Sequence, residues 1–246
     1  MMLHRGWLLL VAATVHAAQA QTPAQTPPHS PPQTTAQAPA PRLGEIQALG
    51  NERFRIGRIV VDKRGRSFVV PGKVHALDKP LEYLATTPEG RKAYESLLTL
   101  DASGSEFNLA CILIGLERDA NVPLSRPLSR AGLVGQPVRL WLAWTDADGK
   151  RRQISAAEAL LDAQALAKGE RVEWAYTGSF TSIDGSQLAA DVTGTLISFV
   201  KKDNSGVIEA SSGLTVLPYG AVRGIAGLPP EGSTIELIVD AATAKK

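Results

Sequence analysis

Val138, Leu140, Leu142 and Trp144 alternate with Arg139, Trp141, Ala143 and Thr145. A repeat of two puts one set of side chains on each face of an extended chain, the mark of a strand with one buried face. Asp146-Ala147-Asp148-Gly149 then reads as a turn, and Lys150 to Ile154 as the returning partner. This unit sets the terms for the rest. Phe54 to Val61 reads as a first strand and Asp62-Lys63-Arg64-Gly65 as a turn. Ser67 to Val70 reads as a second strand, resuming at Lys73 to Leu77 after a break at Pro71-Gly72. Leu81 to Thr86 and Glu95 to Leu100 are short strands flanking the turn Thr87-Pro88-Glu89-Gly90. Val172, Trp174 and Tyr176 alternate again, and Thr193 to Val200 and Thr234 to Val239 complete the set.

Two segments read as helices. Ser103-Gly104-Ser105-Glu106 has capping-box spacing, and Phe107 to Leu116 follows, apolar nearly all round, which predicts a buried helix containing Cys111. Ser155-Ala156-Ala157-Glu158 repeats the spacing and predicts a shorter helix through Leu161 or Ala167, ended by Gly169. Arg118 to Gln136 has no period and reads as a long surface loop. The class is α+β: one domain, a mostly antiparallel β-sheet, one buried helix and one shorter helix. Two helices do not suffice for a doubly wound parallel sheet.

The N-terminal 42 residues differ in kind. Arg5 precedes a short apolar run from Gly6 to Val15, and Ala18-Gln19-Ala20 offers a small-x-small cleavage site. This predicts a signal peptide over 1–20; the run falls short of the roughly 20 residues of a bilayer span. Residues 21–42 are rich in Pro, Gln, Thr and Ala and predict a disordered, extended linker. The domain is then 43–246, exported to the periplasm or secreted, with no membrane span after cleavage.

Charge and rare side chains narrow the chemistry. The chain has 26 Lys+Arg against 24 Asp+Glu, and Arg5 and Arg42 are the only charges in the first 42 residues, so the domain is formally neutral. A basic nucleic-acid surface is not expected. Three of the four histidines precede residue 43, leaving His75, and Cys111 is the single cysteine. That excludes a multi-His metal site and an internal disulfide. No Gly-x-Ser-x-Gly elbow occurs. Ser198 and Lys201 have Ser-x-x-Lys spacing, but in a β run they point to opposite faces. Asp146 and Asp148 lack the other ligands of a calcium loop. Glu82 and Glu95, on neighbouring strands, have the chemistry for paired acid–base work, with His75 as the only imidazole. Trp141 and Trp144, three apart on a strand, face opposite sides, so at most one belongs to the core.

The order of segments resembles the YdjY domain family, bacterial exported or envelope-associated proteins without an established activity. The resemblance runs from about Glu52 to Val239. It rests on Leu81-Glu82-Tyr83-Leu84, Tyr94-Glu95-Ser96-Leu97-Leu98, and Phe107 to Gly115. Further on it rests on Val138 to Trp144, Trp174 to Ser179, Gly194-Thr195-Leu196-Ile197, and Pro229-Pro230-Glu231-Gly232-Ser233. The resemblance implies a histidine before Glu95 and another early in the buried helix, where this chain has Tyr94 and Asn108. Tyr and Asn keep hydrogen bonding but not zinc-type ligation. The expectation is therefore a non-catalytic binding domain with no metal and no cofactor, its partner an envelope protein or small ligand. The expected contact residues are Glu82, Tyr94, Glu95, Ser96, Asn108, Trp174 and Ser179. The alternative is an envelope hydrolase or metal-assisted enzyme on Glu82, Glu95 and His75.

Overall fold

Between residues 50 and 58 the chain reverses twice. Gly50, Asn51, Glu52 and Gly57 all take left-handed backbone angles, and glycine and asparagine enter that region at least cost. The product is a meander of β1 (Ile46–Gly50), β2 (Arg53–Ile56) and β3 (Ile59–Asp62). The single strand expected over Phe54 to Val61 is therefore two, folded at Gly57-Arg58. The computed structural model describes residues 44–118, 135–161, 172–181, 186–199, 206–212 and 222–242. All lie in one compact unit, Pro39–Lys246. The expected signal peptide and linker, most of the 118–136 loop, and Lys201 lie outside the described residues.

β4 (Ser67–Val74) runs straight through Pro71-Gly72, where the sequence predicts a break. Up to Val69 it pairs with β3, and from Gly72 with the strand Ser96–Leu100. Pro71 falls between the two ladders, so its missing N–H costs neither one a bond. Gly72 makes the second ladder possible. A Cβ there would lie 2.2 Å from the backbone oxygen of Thr99.

After β4 come β5 (Tyr83–Thr86), a 3-10 turn (Ala93–Glu95) and β6 (Ser96–Leu100). Then come α1 (Gly104–Leu113), β7 (Gln136–Thr145), β8 (Arg151–Ser155), β9 (Leu160–Leu161) and β10 (Glu173–Tyr176). The chain finishes with α2 (Ala189–Thr193), β11 (Thr195–Ser198), β12 (Ile208–Ser212), β13 (Arg223–Gly224) and β14 (Thr234–Ala241). Eight strands close on themselves in the order β4-β14-β7-β10-β12-β11-β5-β6, and the β4–β6 pairing completes the ring. The sheet expected as mostly antiparallel is mixed and closed. It is a barrel, and β5–β6 and β11–β12 are parallel pairs. β5 and β6 run the same way because residues 87–95 climb back along the outside before β6 begins. In a closed barrel the interior is filled by alternate residues of each strand; here they include Phe68, Val70, Leu140, Leu142, Leu237 and Val239, all buried.

α1 closes one end of the barrel. Its Phe107 meets Phe68, near the start of β4, edge-on at 5.2 Å. Arg66, just before β4, donates to the carbonyls of Ile114 and Gly115 at the helix C-terminus. The helix begins at Gly104 with Ser103 as its N-cap, as the capping-box spacing predicts, and ends at Leu113, short of the expected Leu116. Phe107, Ala110 and Cys111 are buried as expected, while Ile112 is half exposed. The second capping box also forms, with Ser155 and Glu158 bonding reciprocally. It opens no helix. Residues 156–159 make a turn and the chain enters β9, which pairs with β13; burial of Ala156 and Ala159 outweighs helical propensity. The described part of the expected second helix is thus turn and strand, and among the described residues the second helix is α2.

Candidate functional site

Both ends of the barrel carry polar side chains. At the α1 end a cleft of about 470 Å³ lies among the β2–β3 turn, the start of α1 and the end of α2. The first backbone N–H groups of a helix attract anions, and here the chain supplies them. Ser103 Oγ accepts from Glu106 N, and the Glu106 carboxylate accepts from Ser103 N and Gly44 N. Asp191 of α2 accepts from Ser105 N at 2.9 Å and from the Ser105 hydroxyl. These carboxylates are used to join α1 to α2 and to the entering chain. Arg58 stands 4.0 Å from Asp101, an exposed pair worth little.

At the same end, Asn108 on α1 accepts a 2.9 Å bond from the Tyr176 hydroxyl on β10. Burial pushes the Tyr176 phenol well above its usual value, with the neighbouring Cys111 adding to the rise and Arg118 opposing it. Burial likewise raises the Cys111 thiol, which disfavours the reactive thiolate. Ser179 is buried and its Oγ accepts from Ala190 N in α2. Trp174 is buried on β10, and its indole N–H has no hydrogen-bond partner. Asn108 and Ser179, two of the expected contact residues, therefore tie the end caps to the barrel.

The remaining expected residues lie at the opposite end. Tyr83 pairs with Ser96 at the start of β6, and Glu82 N donates to Glu95 O at 2.9 Å. Glu82 and Glu95 are thus backbone neighbours, as the sequence predicts. The Glu95 carboxylate accepts from Lys92 at 2.9 Å, and that bond is the main cause of the raised Lys92 pKa. Lys92 also lies over the exposed ring of Tyr94. Ser96 is fully buried and donates to Leu98 O. His75 is exposed, one strand across, with its N–H on Leu97 O. Tyr94 and Asn108 do not share a site. β6 separates them, and four strand steps already span about 13 Å.

One concavity was not anticipated. A groove of about 630 Å³ opens between the β7–β8 hairpin and residues 227–233. Trp144, Pro229, Pro230 and Ile235 give it apolar walls, and Arg151 and Glu236 bond to each other at its edge. Trp144 is the core member of the tryptophan pair. Trp141 faces the other way and donates to Asp240 at 3.0 Å. Pro229-Pro230 stands in the sequence as a signal, but only the barrel brings it beside Trp144. Among the described residues no three His, Cys, Asp or Glu side chains gather as a metal site, and no helix is long and apolar enough to cross a membrane.

A family model for the YdjY domain matches residues 59–240, from the first residue of β3 to the last but one of β14. No curated protein and no solved structure matches the chain.

Proposed function

The chain belongs to the YdjY domain family, and on that premise we propose that it is an exported domain, carried on the 21–42 linker, that binds an envelope protein or small ligand without transforming it. The groove beside Trp144 is the binding site. The observation that carries this reading is its make-up: apolar aromatic and proline walls with a few fixed polar groups, the usual character of a ligand pocket. The carboxylates elsewhere support it. Glu95 is held by Lys92, Glu106 by the helix cap, and Asp191 by Ser105, so each is occupied in holding the fold. Lys92, Tyr94 and Glu95 form the second surface to test.

The experiment is affinity capture from envelope extract on wild type, Arg151→Glu and Glu95→Ala. The reading expects a partner that wild type and Glu95→Ala retain and Arg151→Glu loses, with all three melting alike. Loss with Glu95→Ala alone moves the site to the Lys92–Glu95 surface. Stoichiometric zinc in the purified protein, or turnover abolished by replacing His75, overturns the non-catalytic reading.

A further inference from the structure

Closure hides the edges of the eight barrel strands, but four strands of the sheet lie outside the ring, and two of them, β1 and β8, end it with a free edge. An unpaired strand edge presents free N–H and C=O groups to any other strand, and proteins usually guard it with charge or proline. β8 is guarded. It begins Arg151-Arg152-Gln153, all exposed. β1 is not. It reads Ile46-Gln47-Ala48-Leu49-Gly50, with no charge and no proline, and all five residues are exposed. Ile46 is 53% exposed and Leu49 39%. Among the described residues β1 pairs only with β2. β1 and β2 precede the residues that the family model matches, which begin at Ile59.

We infer that the free edge of β1 is a self-association surface, on which two copies of this chain pair β1 to β1, antiparallel, about a two-fold axis. The free backbone groups fix the occupant as an extended strand. A second copy fits because an uncharged strand meets its own copy without like-charge contact, and because the hairpin's charges cancel: Glu45 and Glu52 against Arg53 and Arg55. A two-fold axis makes the contact self-complementary and closed, so it stops at a dimer. Five residues bury far less than the roughly 1,200 Å² of a stable interface, so the dimer is weak and concentration-dependent.

Sedimentation of the purified full-length chain over a concentration series tests this. Wild type doubles in mass at high concentration. Ile46→Lys/Leu49→Lys, changed only at exposed positions, stays monomeric with an unchanged melting temperature. Arg152→Gln, on the other edge strand, dimerises as wild type does. A wild type that remains monomeric throughout, or a dimer that survives the double lysine change, overturns the inference.

Discussion

β6 and β14 both pair with β4, one towards each side of the barrel, and their burial differs completely. All five residues of β6 are buried. In β14 every second residue is buried, and those between are partly or fully exposed. β5 and β11 share the pattern of β6; β7 is closer to β14. One wall of the barrel is therefore covered on its outer side and the other is bare. The cover is visible in its contacts. A Cβ on Gly224 of β13 would lie 2.9 Å from Leu77 and 3.0 Å from Leu97, and one on Gly90 would touch Thr86. On the bare wall the outward positions carry Arg139, Trp141, Glu236 and Asp240, linked by polar contacts such as Trp141–Asp240 and Arg151–Glu236. The outward residues of the covered wall are packed under β13 and residues 87–95, whereas the proposed groove opens beside β7 and β14 of the bare wall.

The sharpest way to break this comparison is to truncate one outward side chain on each wall. Leu97 is fully buried; Leu97→Ala removes a large side chain from a packed layer and should cost about 2–5 kcal/mol. Ile238 is only partly buried, and Ile238→Ala should cost about 1 kcal/mol by the area it loses. Chemical denaturation of both variants decides it, and equal costs would mean that the walls do not differ. The seam between the walls comes next. Gly72→Ala drives a methyl into the Thr99 backbone oxygen and should cost about 1–3 kcal/mol, by overpacking alone. A neutral result would show that β4 and β6 do not pair closely.

The smallest effect concerns the α1 end and depends on pH. The folded state raises the Tyr176 phenol above its ordinary value of 10.0. The stability that depends on a neutral phenol is therefore fully present below pH 10 and is lost as pH rises beyond it. Tyr176→Phe should cost about 1 kcal/mol at neutral pH through loss of the Asn108 bond. It should also flatten the alkaline decline, leaving the share due to Cys111, whose thiol is shifted in the same direction. An alkaline limb identical to wild type would contradict the burial of the phenol.

The same contrast explains what could be read from the sequence. The bare wall keeps a polar outer face, so β7 and its return in β8 appear as plain alternation and a turn. The covered wall has no polar face; β6 shows only an apolar run, and its parallel pairing with β5 leaves no local signal. β12, Ile208-Glu209-Ala210-Ser211-Ser212, carries too little apolar character to be read as a strand at all, though it sits inside the ring. Capping chemistry was legible at Ser103 and Ser155, but a cap states how a helix starts, not whether packing lets it continue. Tyr94 and Asn108 stand where the family resemblance implies histidines, and nothing local in the sequence shows that β6 runs between them. The groove was illegible because Trp144 and Pro229 lie far apart in the chain and meet only through the β7–β14 ladder.

Residue-resolved hydrogen exchange tests the closed, unequally covered barrel most directly. The account predicts that amides of β6 and of Lys73 in β4, which faces Thr99, exchange only through global unfolding, while those of β8 and β1 exchange faster by orders of magnitude. Exchange in β6 as fast as in β8 would mean that the ring is open at the β4–β6 seam, and the distinction between the two walls would fall with it.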